Sequence, residues 1–328
     1  MNKKFKAAII GCGDIAGGYD PPPPLEWSMT HAGGYLLCPD TELIAAADID
    51  KKNLYEFGNK WGVKKLYQDY QEMLQKEEID ILSICVPTEH HHQVCKNAIH
   101  HGIKAIFMEK PLSYKLEEAK ELAEISKGKT VAVNYFRRWN PTFDKLKQEI
   151  ADGTNGKLVF IRVYYTKGVL HNASHGIDLL RYLVGEPRGG RCISEVPPDV
   201  EDYPADFYLQ FGGDIQAYFL NIENAQYNIF EIDLLSEKGR ILISQRGQQI
   251  VRFKIVQEPF YKTFDIIKEI PVEETEWRNC TTRAVTEIVD CFIRRGNTSC
   301  TMEDGLRDLE ICLAVLDSGR NNSRLFEL

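Results

Sequence analysis

The stretch Ala7-Ala8-Ile9-Ile10-Gly11-Cys12-Gly13-Asp14-Ile15-Ala16 decides how this chain reads. Four apolar residues run into a turn of the form G-x-G-x-x-A, with no polar break between them. The apolar run has the length and character of a buried strand. Glycines at 11 and 13 permit a tight turn and let the backbone approach a pyrophosphate at the start of a helix. Gly11, Gly13, Asp14 and Ile15 are therefore candidate nucleotide-binding positions. The lysines ahead of this run, within Met1–Lys6, resemble the opening of an export signal. The apolar segment is too short for one and ends at a glycine turn, so we expect a strand.

Further apolar runs follow at Leu43–Ala47, Ile79–Val86, Ala105–Met108 and Thr130–Val133. Amphipathic stretches lie between them at Tyr67–Lys76, His91–His101 and Leu116–Lys127. Near-continuous apolar strands alternating with helices imply a parallel sheet covered on both faces, the doubly wound α/β class. Past residue 140 or so the pattern changes. Leu158–Tyr165 leads into a helical stretch at Ile177–Val184, then strand-like runs recur between Asp206 and Val256 with short glycine-containing connections. Two helices close the chain, Thr282–Arg294 and Met302–Ser318. We expect a dinucleotide-binding Rossmann domain over 1–135, then an α+β domain over 136–328 with a largely antiparallel open sheet. Alternating apolar residues (Phe207, Leu209 and Phe211; Tyr218, Leu220 and Ile222) suggest two apolar sheet faces. One layer of helices covers only one face, so we expect a homodimer or homotetramer.

At 328 residues the chain is long for a single core, which agrees with two domains. A net charge of −8 argues against a nucleic-acid partner, because phosphate neutralisation needs clustered cations. No apolar run approaches the ~20 residues that span a bilayer. The nine cysteines form no C-x-x-C pair and most sit in apolar segments, as buried free thiols do. A cytoplasmic location fits that usage.

The second strand ends at Ala47-Asp48. An acidic side chain there accepts hydrogen bonds from an adenosine ribose and repels a 2′-phosphate, which favours NAD over NADP. The spacing is unusual: Gly13 to Asp48 is 48 − 13 = 35 positions, against the usual ~20. The surplus coincides with Tyr19-Asp20-Pro21-Pro22-Pro23-Pro24-Leu25-Glu26-Trp27. Four prolines cannot lie inside a helix. We expect a stiff loop ahead of a helix near His31–Leu37, placed to touch substrate through Trp27 or to stand free at the surface.

Glu109-Lys110-Pro111 follows the apolar run Ala105–Met108, which puts Lys110 at the carboxyl edge of the sheet, where open α/β folds bind ligands. An ammonium there can stabilise a developing alkoxide or relay a proton. The set Gly11–Ala16, Pro87-Thr88-Glu89-His90-His91, Glu109-Lys110-Pro111 and His175-Gly176-Ile177-Asp178 resembles the glucose–fructose oxidoreductase and inositol dehydrogenase (Gfo/Idh/MocA) family. Asn134–Pro141 and Gly305–Ser318 are similar to it as well. The resemblance implies that Lys110 hydrogen-bonds the reacting oxygen, that Glu109 lies near the cofactor ribose, and that Pro87, Thr88 and His91 adjoin the cofactor. It also implies an Asp-x-x-x-His pair opening a helix of the second domain. The histidine maps to His175, but the aspartate position holds His171. That exchange removes an anion that would raise the imidazolium's pKa and orient its ring; an imidazole at 175 remains suited to acid/base work, since imidazole in general titrates near neutral pH.

Arg138 and Lys167 are candidates for an anionic substrate group, and Asn172 or Ser174 for orienting substrate. The clustered histidines at 90–92 and 100–101 lack metal-ligand spacing, and no metal is expected. The combined expectation is a NAD-dependent oxidoreductase acting on a secondary alcohol or ketone of a sugar, polyol or nucleotide-linked sugar. Lys110, His175 and His171 are its candidate catalytic residues. The alternative is a non-catalytic dinucleotide-binding regulator of the same fold.

Overall fold

The computed structural model describes residues 4–223 and 226–328. The first half alternates β1 (Phe5–Ile10), α1 (His31–Leu37), β2 (Thr41–Ala47), α2 (Lys51–Trp61), β3 (Lys65–Tyr67), α3 (Tyr70–Lys76), β4 (Ile81–Ile84), α4 (Thr88–His100), β5 (Ala105–Met108), α5 (Leu116–Ile125) and β6 (Thr130–Val133). All six strands are parallel, in the order β3-β2-β1-β4-β5-β6. The order reverses beside β1, which opens a crevice between the carboxyl ends of β1 and β4. β4 and β5 are buried along their whole length, as strands covered on both faces must be. Side-chain caps define where helices start. Asp50 accepts from the amides of Lys52 and Asn53, and Asp69 from that of Gln71.

The expected excursion after the glycine turn is present, with one surprise at its start. Instead of an α-helix, Asp14–Gly18 forms a single π-helical turn. Residues 19–30 then loop out, with Pro21–Pro24 exposed, and return to α1. Asp20 is only 3% exposed, and its carboxylate accepts from the Ser28 and Thr30 hydroxyls at 2.6 Å each and from the amides of Met29 and Thr30 at 2.9 and 3.2 Å. Lys60 binds the carbonyls of Gly17, Gly18 and Asp20 from the other side. Trp27 lies under the Arg278 guanidinium, 5.7 Å from ring centre.

The second half contains α6 (Pro141–Ala151), β7 (Leu158–Tyr165), α7 (Ser174–Val184), β8 (Gly189–Cys192), β9 (Phe207–Gln210), β10 (Gln216–Asn221), β11 (Phe230–Ser236), β12 (Gly239–Ser244), β13 (Gln249–Gln257), β14 (Asp265–Glu269) and β15 (Glu273–Glu274), followed by α8 (Cys280–Arg294), α9 (Met302–Arg320) and β16 (Phe326–Glu327). The large sheet runs β14-β13-β12-β11-β7-β10-β9-β8-β16, with β15 beside β13. It is antiparallel except where β10 lies parallel to β7. The strands after residue 206 do not follow one another across the sheet, because β7 stands between β10 and β11. One face is dry. Phe207 stacks on Phe219 at 4.4 Å, and Gly176 of α7 comes within contact of Phe219 and Val163. The other face carries Tyr218 in ring contact with both Phe160 and Tyr208, and Asp233 held by Arg162 and Arg240.

The chain divides into two compact units, Met1–Trp139 with Arg278–Leu309, and Asn140–Trp277 with Glu310–Leu328. By contacts, the first unit runs four residues past the expected cut at 135/136, and 278–309 return to it. The reason is packing. Phe292 meets Phe5 edge-on at 5.8 Å, Gly34 abuts Thr281 and Val285, and the Trp139 indole donates to Glu287 at 2.6 Å. All nine cysteines are free thiols.

Candidate active site

The glycine turn is held by backbone contacts that tolerate no side chain at one position and leave space at the next. Gly11 donates to the Ala47 carbonyl at 2.8 Å with φ +88°, and a Cβ there would stand 2.6 Å from the Cys85 carbonyl. A Cβ on Gly13 would meet nothing within 4 Å, because this residue opens onto a cavity of about 800 Å³. Gly11, Gly13, Asp14, Ile15, Tyr19, Asp48, Asn53, Pro87 and His90 are among the residues lining it. The Asp48 carboxylate is fixed at the cavity wall by the amides of Cys12 at 2.6 Å and Asp50 at 2.7 Å. The donor set fits a dinucleotide. Gly13 leaves room for a pyrophosphate to approach the backbone, and a fixed carboxylate stands where ribose hydroxyls need an acceptor.

Lys110 follows β5 and is half-buried. The residues on either side of it are locked. Glu109 donates its amide to Ile84, and its Oε1 accepts from Asn134 at 2.6 Å and meets His31 Nε2 at 3.0 Å. Burial alone would raise the Glu109 carboxyl. The His31 and Asn134 hydrogen bonds and the Lys110 charge together hold it below its ordinary value. On the other side the Pro111 carbonyl meets His91 Nδ1 at 2.7 Å, while His91 Nε2 meets the Val86 carbonyl at 2.9 Å. Burial is the largest influence on His91 and lowers it from 6.5, although both carbonyls favour the charged ring. His91 is 1% exposed and ties two loops together; it is His90, outside the expected set, that lines the cavity. Thr88, Glu109 and Lys110 are not among the residues lining this cavity.

The second unit presents its candidates on a short π-helical turn, Val169–Ala173, that runs into α7. His171 is exposed, with Nε2 3.3 Å from the Lys167 ammonium. Its amide and that of Leu170 bind the Asp202 carboxylate at 3.0 and 2.8 Å. Lys167 has φ +66°, a strained conformation for a residue with a side chain, and its carbonyl accepts from Asn221. It lines a polar cavity of about 540 Å³ with Thr166, Asp202 and Asn228. Asn172 donates to the Thr166 carbonyl at 2.9 Å, which shapes this turn. His175 occupies the second position of α7 and is half-buried. Ser174 donates to the Leu170 carbonyl and is buried. Arg138 is corrected as a substrate contact: it is 8% exposed and bound to Asp304 and the Ser299 carbonyl at 3.2 Å each, inside the first unit. Among the described residues no His, Cys, Asp or Glu cluster has the grouping of a metal site.

Sequence reasoning missed His31, Ser83, Tyr35 and Asn134, which stand behind Glu109. A signal existed for three of them. Ser83 is the one polar residue inside the apolar run of β4, and His31 and Tyr35 share a helix face at i, i+4.

Comparison with known proteins bears directly on this arrangement. A family model described as "Oxidoreductase family, NAD-binding Rossmann fold" matches residues 5–135, and "Oxidoreductase family, C-terminal alpha/beta domain" matches 165–325. The myo-inositol 2-dehydrogenase of Thermotoga maritima is 30% identical over 240 residues, covering 64% of this chain and 70% of that one. The chain belongs to the Gfo/Idh/MocA oxidoreductase family. The scyllo-inositol 2-dehydrogenase (NAD(+)) of Bacillus subtilis is 25% identical over an alignment of 351 residues, 98% of this chain and 96% of that protein. Among solved structures, a levoglucosan dehydrogenase in complex with NADH and L-sorbose shares the fold, with TM-score 0.80 at 16% identity over 99% of each chain. This family member is thus an oxidoreductase with a nicotinamide-dinucleotide-binding Rossmann domain. Among the described residues no helix is long and apolar enough to cross a membrane.

Proposed function

We propose that this protein is a NAD-dependent dehydrogenase that interconverts a secondary alcohol and a ketone on a sugar, polyol or nucleotide-linked sugar. The observation that carries this reading is Lys110, placed at the end of β5 with both neighbours locked by buried histidines. NAD bound along the glycine turn and Asp48 supplies the hydride acceptor or donor. Lys110 holds the substrate hydroxyl oxygen by a hydrogen bond and stabilises its charge as the proton leaves. His175, at the start of α7, is the acid/base candidate of the second unit. Asp48 offers an anion where NADP would carry its 2′-phosphate, which supports NAD. The aromatic outer face of the large sheet supports a homodimer or homotetramer, and the free thiols support a cytoplasmic location.

The test is nicotinamide absorbance with purified protein, NAD and NADP in turn, against inositols, aldoses, keto-sugars, sugar acids and nucleotide-linked sugars. Turnover that vanishes in Lys110→Ala supports the reading; turnover that survives the substitution removes Lys110 from the mechanism. The second reading, a dinucleotide-binding regulator, is favoured by His171 standing where a carboxylate is expected. Tight NADH binding without turnover on any substrate would support it.

A further inference from the structure

Behind Glu109 lies a line of buried polar groups that the reaction scheme above does not use. Tyr35 Oη is 2.7 Å from Ser83 Oγ, which is 2.8 Å from His31 Nδ1, and His31 Nε2 is 3.0 Å from Glu109 Oε1. The His31 ring is wholly buried and packs 4.1 Å from the Phe107 ring. Buried polar groups are costly unless each donor finds an acceptor. One assignment satisfies the whole line. Tyr35 donates to Ser83, Ser83 donates to Nδ1, and Nε2 carries the hydrogen that reaches Glu109. Asn134 supplies the second donor to the same oxygen at 2.6 Å. A carboxylate only accepts, so both contacts favour its charged form.

We propose that His31 is a positioning residue: with Asn134 it fixes the orientation of the Glu109 carboxylate, the anion next in the chain to Lys110. The interaction of Lys110 with Glu109 is mutual: the lysine helps hold the carboxyl down, so the carboxylate helps hold the ammonium. Three other groups face this pair. Cys85 feels the Glu109 charge but stays a thiol, because burial raises it far above its ordinary value. His91 is influenced by both Glu109 and Lys110. Asn134 carries no titrating charge. The catalytic consequence rests on the role given to Lys110 above; the electrostatic claim does not.

The test titrates Lys110 directly in the full chain, by pH-dependent labelling with an amine-reactive acetylating reagent read by peptide mass spectrometry. His31→Phe keeps the packing on Phe107 and removes both ring nitrogens. It is expected to lower the labelling midpoint of Lys110 by roughly half a unit to one unit. His31→Gln, which retains a donor, is expected to recover most of that shift. Glu109→Gln should lower the midpoint as well, and adding His31→Phe to it should change nothing more. A folded His31→Phe protein with an unmoved midpoint overturns the proposal. Should that variant not fold, Ser83→Ala removes the partner of Nδ1; a small shift in the same direction supports the proposal and none overturns it. Labelling needs no substrate. A shift seen while Lys110→Ala retains turnover would sink the mechanism and leave the positioning intact.

Discussion

Two histidine-bearing segments make an instructive contrast. At the end of β5, His31 and His91 are buried, and each ring nitrogen has a protein partner. At the start of α7, His171 is exposed and reached by one flexible lysine, and His175 is half-buried. The first arrangement spends its histidines on holding backbone and carboxylate in place. The second leaves His171 exposed on a turn that is anchored by the buried Val169, Leu170 and Ala173. On the role proposed for Lys110, the reaction chemistry would sit with the locked segment and substrate choice with the exposed one.

That contrast yields a graded set of outcomes. Lys110→Met should reduce kcat by roughly a thousandfold with NADH affinity little changed, since an ammonium that stabilises alkoxide acts mainly in the transition state. His175→Asn should cost about a hundredfold; equal losses at the two positions would erase the proposed division of labour. Asp48→Asn should weaken NAD binding about tenfold and improve NADP, read by fluorescence titration of the reduced forms. If both cofactors weaken alike, the carboxylate does not discriminate between them.

Two smaller effects concern pH. His171→Asp places an anion four residues before His175, which stabilises the imidazolium. The acidic limb of the kcat/KM profile should move upward by less than about one unit. For His91 the sign follows from burial, which holds the folded group below 6.5. As pH falls through that value the unfolded chain takes up a proton first. Stability present above about 6.5 is then lost progressively down to the lowered folded value. His91→Gln offers two amide hydrogens to the same two carbonyls. Its Tm loss between pH 7 and 5, measured by calorimetry, should be smaller by a few degrees. An identical decline in both proteins would show that His91 does not titrate in this range.

Much of the fold was legible because its strongest signals are local. The ends of β5, β6, β7 and β12 coincide with apolar runs bounded by polar or glycine residues, and burial of those strands explains why. α2 and β14 escaped notice for the opposite reason. In α2 the apolar Leu54, Phe57 and Trp61 are diluted by lysines and asparagines, and in β14 the two isoleucines are exposed with every other residue. The place of β7 between β10 and β11 is set by non-local pairing and is not written in any single stretch. The glycine turn, Asp48 and Lys110 were legible as a linear motif. The line through Tyr35, Ser83 and His31 was not, because its contacts join residues 48 to 78 positions apart. Arg138 looked available for substrate only because its partner Asp304 lies far along the chain.

The knot at Asp20 makes the proline excursion a detachable cassette. One carboxylate gathers the returning strand at Ser28, Met29 and Thr30, and Lys60 clasps the departing strand at Gly17, Gly18 and Asp20. The register of α1, and with it the place of His31, is set at the neck of the loop. Pro21 through Glu26 are thereby released from any duty to the fold. Evolution or an engineer can lengthen, shorten or rewrite that crest next to Tyr19 at the cavity wall, and the machinery beneath Lys110 keeps its alignment.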